Sequence, residues 1–410
     1  MTSDTPVEPQ PEPPTRAEAL AEDAEPPRTA AAALQELVGD LRPPSRGAEQ
    51  RARGRLDDLL GPPDSFGSLQ RLAVWWAGVT GEPTAPPPGR VGVVVLAADH
   101  AVAARGVSAL PLGHTAVAAR AVRDGRAAVS AAAALLPGEV RVVEVDVAGP
   151  RGPRARPFDV EDALDEALLE RSLALGTDLA DDLFTEGHDL VVLGDVGVGT
   201  TTTAATAVGA VLRRPVLDVV GRGSGVDDTA WMRKAVVVRE GLRRARARPR
   251  DVASVLCTVG SPDLAAAVAL LLRCSARRVP VVLDGPLAVA AGVLANRVAP
   301  VARQWWLVAE RTDEPAVHRA LETFAMTPVL DLGVRAGSGL AGVLAAQLLR
   351  SAVAVALGTV TTEAAWPVHE PVEPEEPEEP DELETPDGAD EPDEPDEPEE
   401  PEEPEEPEEP

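Results

Sequence analysis

Eight short apolar runs recur along the middle of this 410-residue chain, and Ala/Leu-rich stretches of helical length separate most of them. The runs are VGVVVLA (91–97), VRVVEVDV (140–147), DLVVLG (189–194), PVLDVVG (215–221), VASVLCTVG (252–260), VPVVLDG (279–285), WWLVAE (305–310) and PVLDLG (328–333). A strand with one wet face alternates apolar and polar residues, whereas runs with so little alternation suit strands buried on both faces. Strand and helix alternating at this spacing predict an α/β fold with a parallel, doubly wound sheet. Ligands of such sheets collect at the carboxyl ends of the strands, near a switch in strand order. Several runs end there in glycine-rich loops: GDVGVGTTTT, GRGSGVDD and GVRAGSGLAG.

The ends of the chain differ from its middle. Residues 1–45 are rich in Pro, Glu and Ala and read as a disordered arm, with a short helical possibility at AAALQELVGDL. Residues 369–410 repeat EPEEPEEP and EPDEPDEP, an extended acidic tail in which proline blocks helix and sheet. The tail serves either as a solubilising segment or as a docking arm for a basic partner. From Glu370 onward it holds 24 acidic residues and no Lys or Arg; the formal charge of −30 thus leaves −6 on residues 1–369. No basic stripe marks the body, which argues against nucleic-acid binding. Cys257 and Cys274 sit in apolar contexts and read as reduced thiols. The N-terminus lacks a signal pattern. The longest apolar stretch carries Gln347 and Arg350 near its middle, so a core helix fits it better than a membrane span. The expectation is a cytoplasmic protein whose folded domain covers 46–368.

GDVGVGTTTT follows a buried strand directly and precedes the helical pattern AATAVGAVL. Glycine belongs where backbone turns sharply or where something must approach it closely, and threonine is a good N-cap. The loop is no P-loop, since no Lys precedes the hydroxyl pair, and it lacks the order of a dinucleotide motif. Backbone N–H groups at such a turn bind phosphate without a cation, which favours a nucleotide monophosphate. The alternative is a structural turn leading into a Thr-capped helix.

Taken together and in order, these loops resemble the nicotinate-nucleotide:dimethylbenzimidazole phosphoribosyltransferase family of cobalamin lower-ligand assembly. The matching pieces are GPPDSFGSLQRLAVWWAGVTGEP (61–83), ADHAVAARGVSALP (98–111), GDVGVGTTTTAA (194–205), GRGSGVDDTAWMRKAVV (221–237), VGSPDLAAAVALLLRC (259–274), PVVLDG (280–285), DEPAVHRALE (313–322) and PVLDLGVRAGSG (328–339). They span roughly residues 56–357. The resemblance implies a Rossmann-like domain with a small helical subdomain drawn from both chain ends (28–60, 66–78 and 340–357). It also implies a homodimer that needs no metal or cofactor. The reaction implied moves phosphoribose from nicotinate mononucleotide to 5,6-dimethylbenzimidazole, giving α-ribazole 5′-phosphate.

Carried over by position, Gly197, Gly199, Thr200, Thr201 and Thr202 would hold phosphate and ribose. Gly223, Ser224 and Gly225 would form a second anion loop, with Lys234 as its cation unless that residue is an exposed helix lysine. Asp99, His100, Ser108 and Asp284 would line the base pocket, and Asp195 stands where the family usually has Glu. The departures cluster on the base side. Ser338 occupies the position of the family's proton-accepting Glu, Ala116 that of a glutamine, and DGPLAV replaces DGFISS. Glu310 aligns near a family His. The resemblance thus leaves two readings: a transferase, acting on this base or a related one, whose proton acceptor has moved to Asp195, Asp284, Glu310 or Asp331; or a catalytically impaired member that binds nucleotide or base in a regulatory or delivery role.

Overall fold

The computed structural model describes residues 29–366, except 63, 150–151 and 249–250. Its helices and strands follow one another as α1 (Ala30–Glu36), α2 (Arg46–Asp57), α3 (Ser68–Thr80), β1 (Val91–Ala98), α4 (His114–Arg123), α5 (Ala128–Ala133) and β2 (Gly138–Asp146). Then come α6 (Glu166–Thr185), β3 (Leu190–Val196), α7 (Thr200–Leu212), α8 (Asp228–Arg246), α9 (Val252–Val259) and α10 (Pro262–Ala276). The last elements are β4 (Val281–Leu283), α11 (Gly285–Val298), β5 (Trp306–Val308), α12 (Pro315–Phe324), α13 (Leu340–Gly358) and α14 (Thr362–Ala365).

All five strands are parallel, in the order β2-β1-β3-β4-β5. The register sets Val91 opposite both Gly138 and Leu190, and Val281 opposite Val191 and Trp306. Every residue of β1 is buried, as its unbroken apolar run demands, while β2 at the sheet edge is half-open. The chain leaves β1 toward β2 and then crosses to β3 on the other side. The switch in direction therefore lies between β1 and β3, where a ligand crevice forms in sheets of this kind.

Helices from both ends of the described residues pack together. Ala52, Leu56, Ala73, Val74, Ala77 and Ala356, from α2, α3 and α13, share a small apolar cluster. Helix α1 falls inside the segment expected to be an arm, yet Ala30 and Leu34 are buried in the main core. Helix α13 has the length and apolarity of a membrane span. It packs instead as a core helix, with Ala345, Ala346 and Leu349 fully buried, and Gln347 donates to the Ala132 carbonyl at 3.0 Å. Trp76, Trp305 and Trp306 are buried, each indole N–H donating to Pro86 O, Arg42 O or Ser275 Oγ. The acidic tail lies outside the described residues.

Three expected strands are corrected. Residues 252–259 form α9: Asp251 caps the helix by accepting from Ser254 N at 2.8 Å, and Val252, Val255, Leu256 and Val259 recur at helical spacing on its buried face. The run 215–221 makes a 3₁₀ turn at Val216–Asp218, entered through Pro215. The run 328–333 keeps a single parallel bridge, Leu330 to Glu310, where a sixth strand would stand.

Candidate active site

The switch point between β1 and β3 is built first from backbone. Gly197 lies so close to Ala98 O and the Thr200 hydroxyl that a Cβ there would collide with both. Gly199 adopts φ +96° and is itself the N-cap of α7, with no side chain capping the helix. The threonines are therefore not caps, as the sequence suggested, but the first turn of the helix. The N–H groups of Thr200 and Thr201 have no intrahelical acceptor, and they add to the positive end of the helix dipole. Thr202 is fully buried and its hydroxyl has no hydrogen-bond partner.

Lys234 enters from α8 and is fully buried, so the exposed-lysine alternative falls away. Its ammonium donates to Thr201 Oγ1 at 2.9 Å. Burial pulls its pKa down, and the Glu314 carboxylate pulls the other way. A buried ammonium costs several kcal/mol in lost solvation; one hydroxyl returns about 1.5–3 kcal/mol. Glu314 supplies part of the balance and also accepts from Gly223 N at 2.6 Å, holding the second loop in place. Gly223, at φ +52°, leaves no room for a Cβ beside Thr201 and Lys234. Ser224, expected at phosphate, instead pairs with Ser108 at 3.1 Å and accepts from Ala109 N at 2.8 Å. These contacts join the Ser108 loop to the anion loop, while Gly225 (φ +91°) closes the turn.

Beneath the first loop sits a buried ionic cluster that sequence reasoning only half found. His100 Nε2 lies 3.3 Å from Asp263 and 3.2 Å from Thr200 Oγ1, and its Nδ1 is 2.9 Å from Thr203 Oγ1. Burial disfavours the charge on both partners, but their attraction prevails, raising the pKa of His100 and lowering that of Asp263. Sequence alone does not single out Asp263, because an acid in the first turn of a helix after Ser-Pro reads as a capping residue. Asp195 keeps part of its surface open, yet its carboxyl is enclosed by protein. Burial and the Asp263 charge, partly offset by His100, push its pKa up to about 7.

The side expected to face the base is different. Asp284 is buried after β4 and accepts from Gly342 N at 3.1 Å; burial raises its pKa to about 6 against that bond. Glu310 is buried beyond β5, with Oε1 accepting from Leu332 N and Gly333 N at 2.7 and 2.8 Å, while Oε2 has no partner. Asp331 is exposed beside Arg311, 3.5 Å away. Ser338, at φ +60°, donates its N–H to Asp195 O at 3.1 Å, which sets the last loop against the end of β3. Asp99 is tied to Thr115 Oγ1 at 2.6 Å and to Ala148 N at 2.8 Å, a structural strap rather than a free group. Ala116 is exposed on α4, and Leu287, Ala288 and Val289 are buried in α11. A carboxyl group thus stands at or just beyond the end of every strand: Asp146, Asp99, Asp195, Asp284 and Glu310, in sheet order.

The phosphoribosyltransferase family model matches residues 41–366, most of the chain and the whole of this site. The chain belongs to the nicotinate-nucleotide–dimethylbenzimidazole phosphoribosyltransferase family. A family protein of that name from Streptomyces coelicolor is 39% identical over 342 residues, covering 80% of this chain and 96% of that protein. One from Mycobacterium avium is 38% identical over 341 residues, covering 81% and 97%. The crystal structure of CobT from Thermus thermophilus superposes with a TM-score of 0.73 at 34% identity, covering 78% of this chain and 98% of that one. In this chain the site brings together the two glycine loops, Lys234 and the Ser338 loop.

Proposed function

We propose that the chain transfers phosphoribose from nicotinate mononucleotide to 5,6-dimethylbenzimidazole or a closely related base, forming α-ribazole 5′-phosphate for the nucleotide loop of cobalamin. The observation that carries this reading is Lys234, a fully buried cation with one hydroxyl partner, beside an uncapped helix N-terminus. A 5′-phosphate supplies the charge that both lack.

The chemistry asks little else of the protein. A ring nitrogen of the base attacks the anomeric carbon as the bond to nicotinate breaks, and nicotinate leaves with the electron pair, neutralising its own pyridinium. The remaining N–H proton of the new benzimidazolium then needs an acceptor. Asp195 fills that role: its carboxyl stands at the end of β3 against the Ser338 loop, and a pKa of about 7 suits a base working near neutral pH. The other groups position: Lys234 and the first turn of α7 hold phosphate, and Ser108 with Ser224 joins the two loops. The enzyme acts in the cytoplasm as a homodimer, without metal or cofactor.

One observation favours a second reading, a nucleotide-binding member that does not transfer: the serine at 338 leaves the last loop with no acceptor of its own. A mass-spectrometric assay with nicotinate mononucleotide and dimethylbenzimidazole, run on wild type and Ser338→Glu, separates the two. Ribazole phosphate from the wild type is the expected result. Product from Ser338→Glu alone would overturn Asp195 as acceptor, and product from neither would leave only nucleotide binding.

A further inference from the structure

At the end of α7 remote from Thr200, a cavity of about 380 Å³ opens among the C-terminal ends of α7, α8 and α11. Ala210, Leu242 and Val255 give it apolar walls, and Arg213, Arg246 and Arg297 line it as well. No lining residue is acidic. Among the described residues no hydrogen bond or ion pair engages these three guanidiniums. Three helix C-termini carry about half a negative charge each, which leaves the three arginines with a clear positive surplus. Arg213 is also held at φ +54°, at a helix C-cap where the backbone favours glycine. The site is distinct from the nucleotide loop: α7 has 13 residues, so about 20 Å of helix lies between them.

We propose that this cavity binds a phosphate monoester carrying an aromatic or otherwise apolar body. The volume falls in the range of small-molecule sites. Arginine forks match phosphate oxygens in pairs, and the apolar walls take a ring that inorganic phosphate lacks. No acid in the lining opposes a dianion.

The nucleotides of the proposed reaction share this chemistry, so the test uses a probe that is not a substrate and a chain whose nucleotide loop is weakened. Titration calorimetry of 1-naphthyl phosphate into full-length Lys234→Met is expected to show one site. Adding Arg213→Gly and Arg297→Gln is expected to weaken that site at least tenfold. Inorganic phosphate and 1-naphthol are each expected to bind at least tenfold more weakly than the probe. Binding that is absent in Lys234→Met, or indifferent to the arginine substitutions, would overturn the proposal. Hydrogen exchange on the wild-type chain gives a check that needs no variant: the probe should protect residues 209–213 and 242–246, and no protection there would equally sink the idea. Both readouts are binding rather than turnover, so they stand apart from the fate of the transferase reading.

Discussion

The two halves of the proposed site are built by different means. The nucleotide half is made of backbone: an uncapped helix end, glycines that let chain approach chain, and one buried lysine. The base half is made of carboxyl groups at strand ends, most of them already bonded to backbone amides. A backbone site has little freedom to vary, since almost any side chain at Gly197 or Gly223 would collide with its neighbours. A side-chain site can move its functional group from one strand end to the next while the fold stays the same. On the proposed reading, that contrast lets the acid act from Asp195 while packing fixes the glycine loops.

The sharpest way to break the comparison is Asp195→Asn. With the acceptor gone but its shape kept, kcat is expected to fall by about 10²–10⁴-fold while KM for nicotinate mononucleotide stays within about threefold, as steady-state kinetics would reveal. A matching rise in KM would mean that Asp195 belongs to the nucleotide half.

Lys234→Met keeps the length of the buried side chain and removes its charge. Charge-assisted hydrogen bonds contribute about 1.5–3 kcal/mol, so calorimetry should find the nucleotide bound about 10- to 100-fold more weakly. Unchanged affinity would remove the main support for the phosphate site.

The third test is pH. With Asp195 near 7, its basic form grows as pH rises, so kcat should climb through about pH 7 to a plateau. Stability should move the opposite way. The native pKa lies above the unfolded value of about 3.9, so the folded protein binds the extra proton between those limits. Melting temperatures should therefore decline from about pH 4 to 7, and Asp195→Asn should flatten that slope.

Smallest of all should be Glu310→Gln. The amide oxygen still accepts from Leu332 N and Gly333 N, so the melting temperature should shift by no more than a few degrees. A large loss of kcat instead would make Glu310 the acceptor in place of Asp195.

Much of the fold was legible in sequence for a physical reason. Burial on both faces forces strands such as 91–97 and 189–194 to be apolar throughout, and no surface helix shares that pattern. Residues 252–259 misled because valine-rich runs suit either state; Asp251 with Ser254 three residues on was the capping signal that separates them. The glycine loops announced themselves because the backbone at Gly197, Gly199 and Gly223 admits little but glycine. Asp263, Glu314 and the tie from Glu310 to the last loop gave no local sign. Each is an ordinary acid beside a helix start or strand end, and only the packing of distant segments brings it to His100, Gly223 or Leu332.

The row of carboxyl groups at the strand ends has a consequence for how the proposed turnover would be measured. Asp195, with a pKa of about 7 and part of its surface open, can pass the benzimidazolium proton on to solvent. One proton is then released for each ribazole phosphate formed. The heat of turnover will track the ionisation enthalpy of the buffer, and a weakly buffered assay will acidify in step with product.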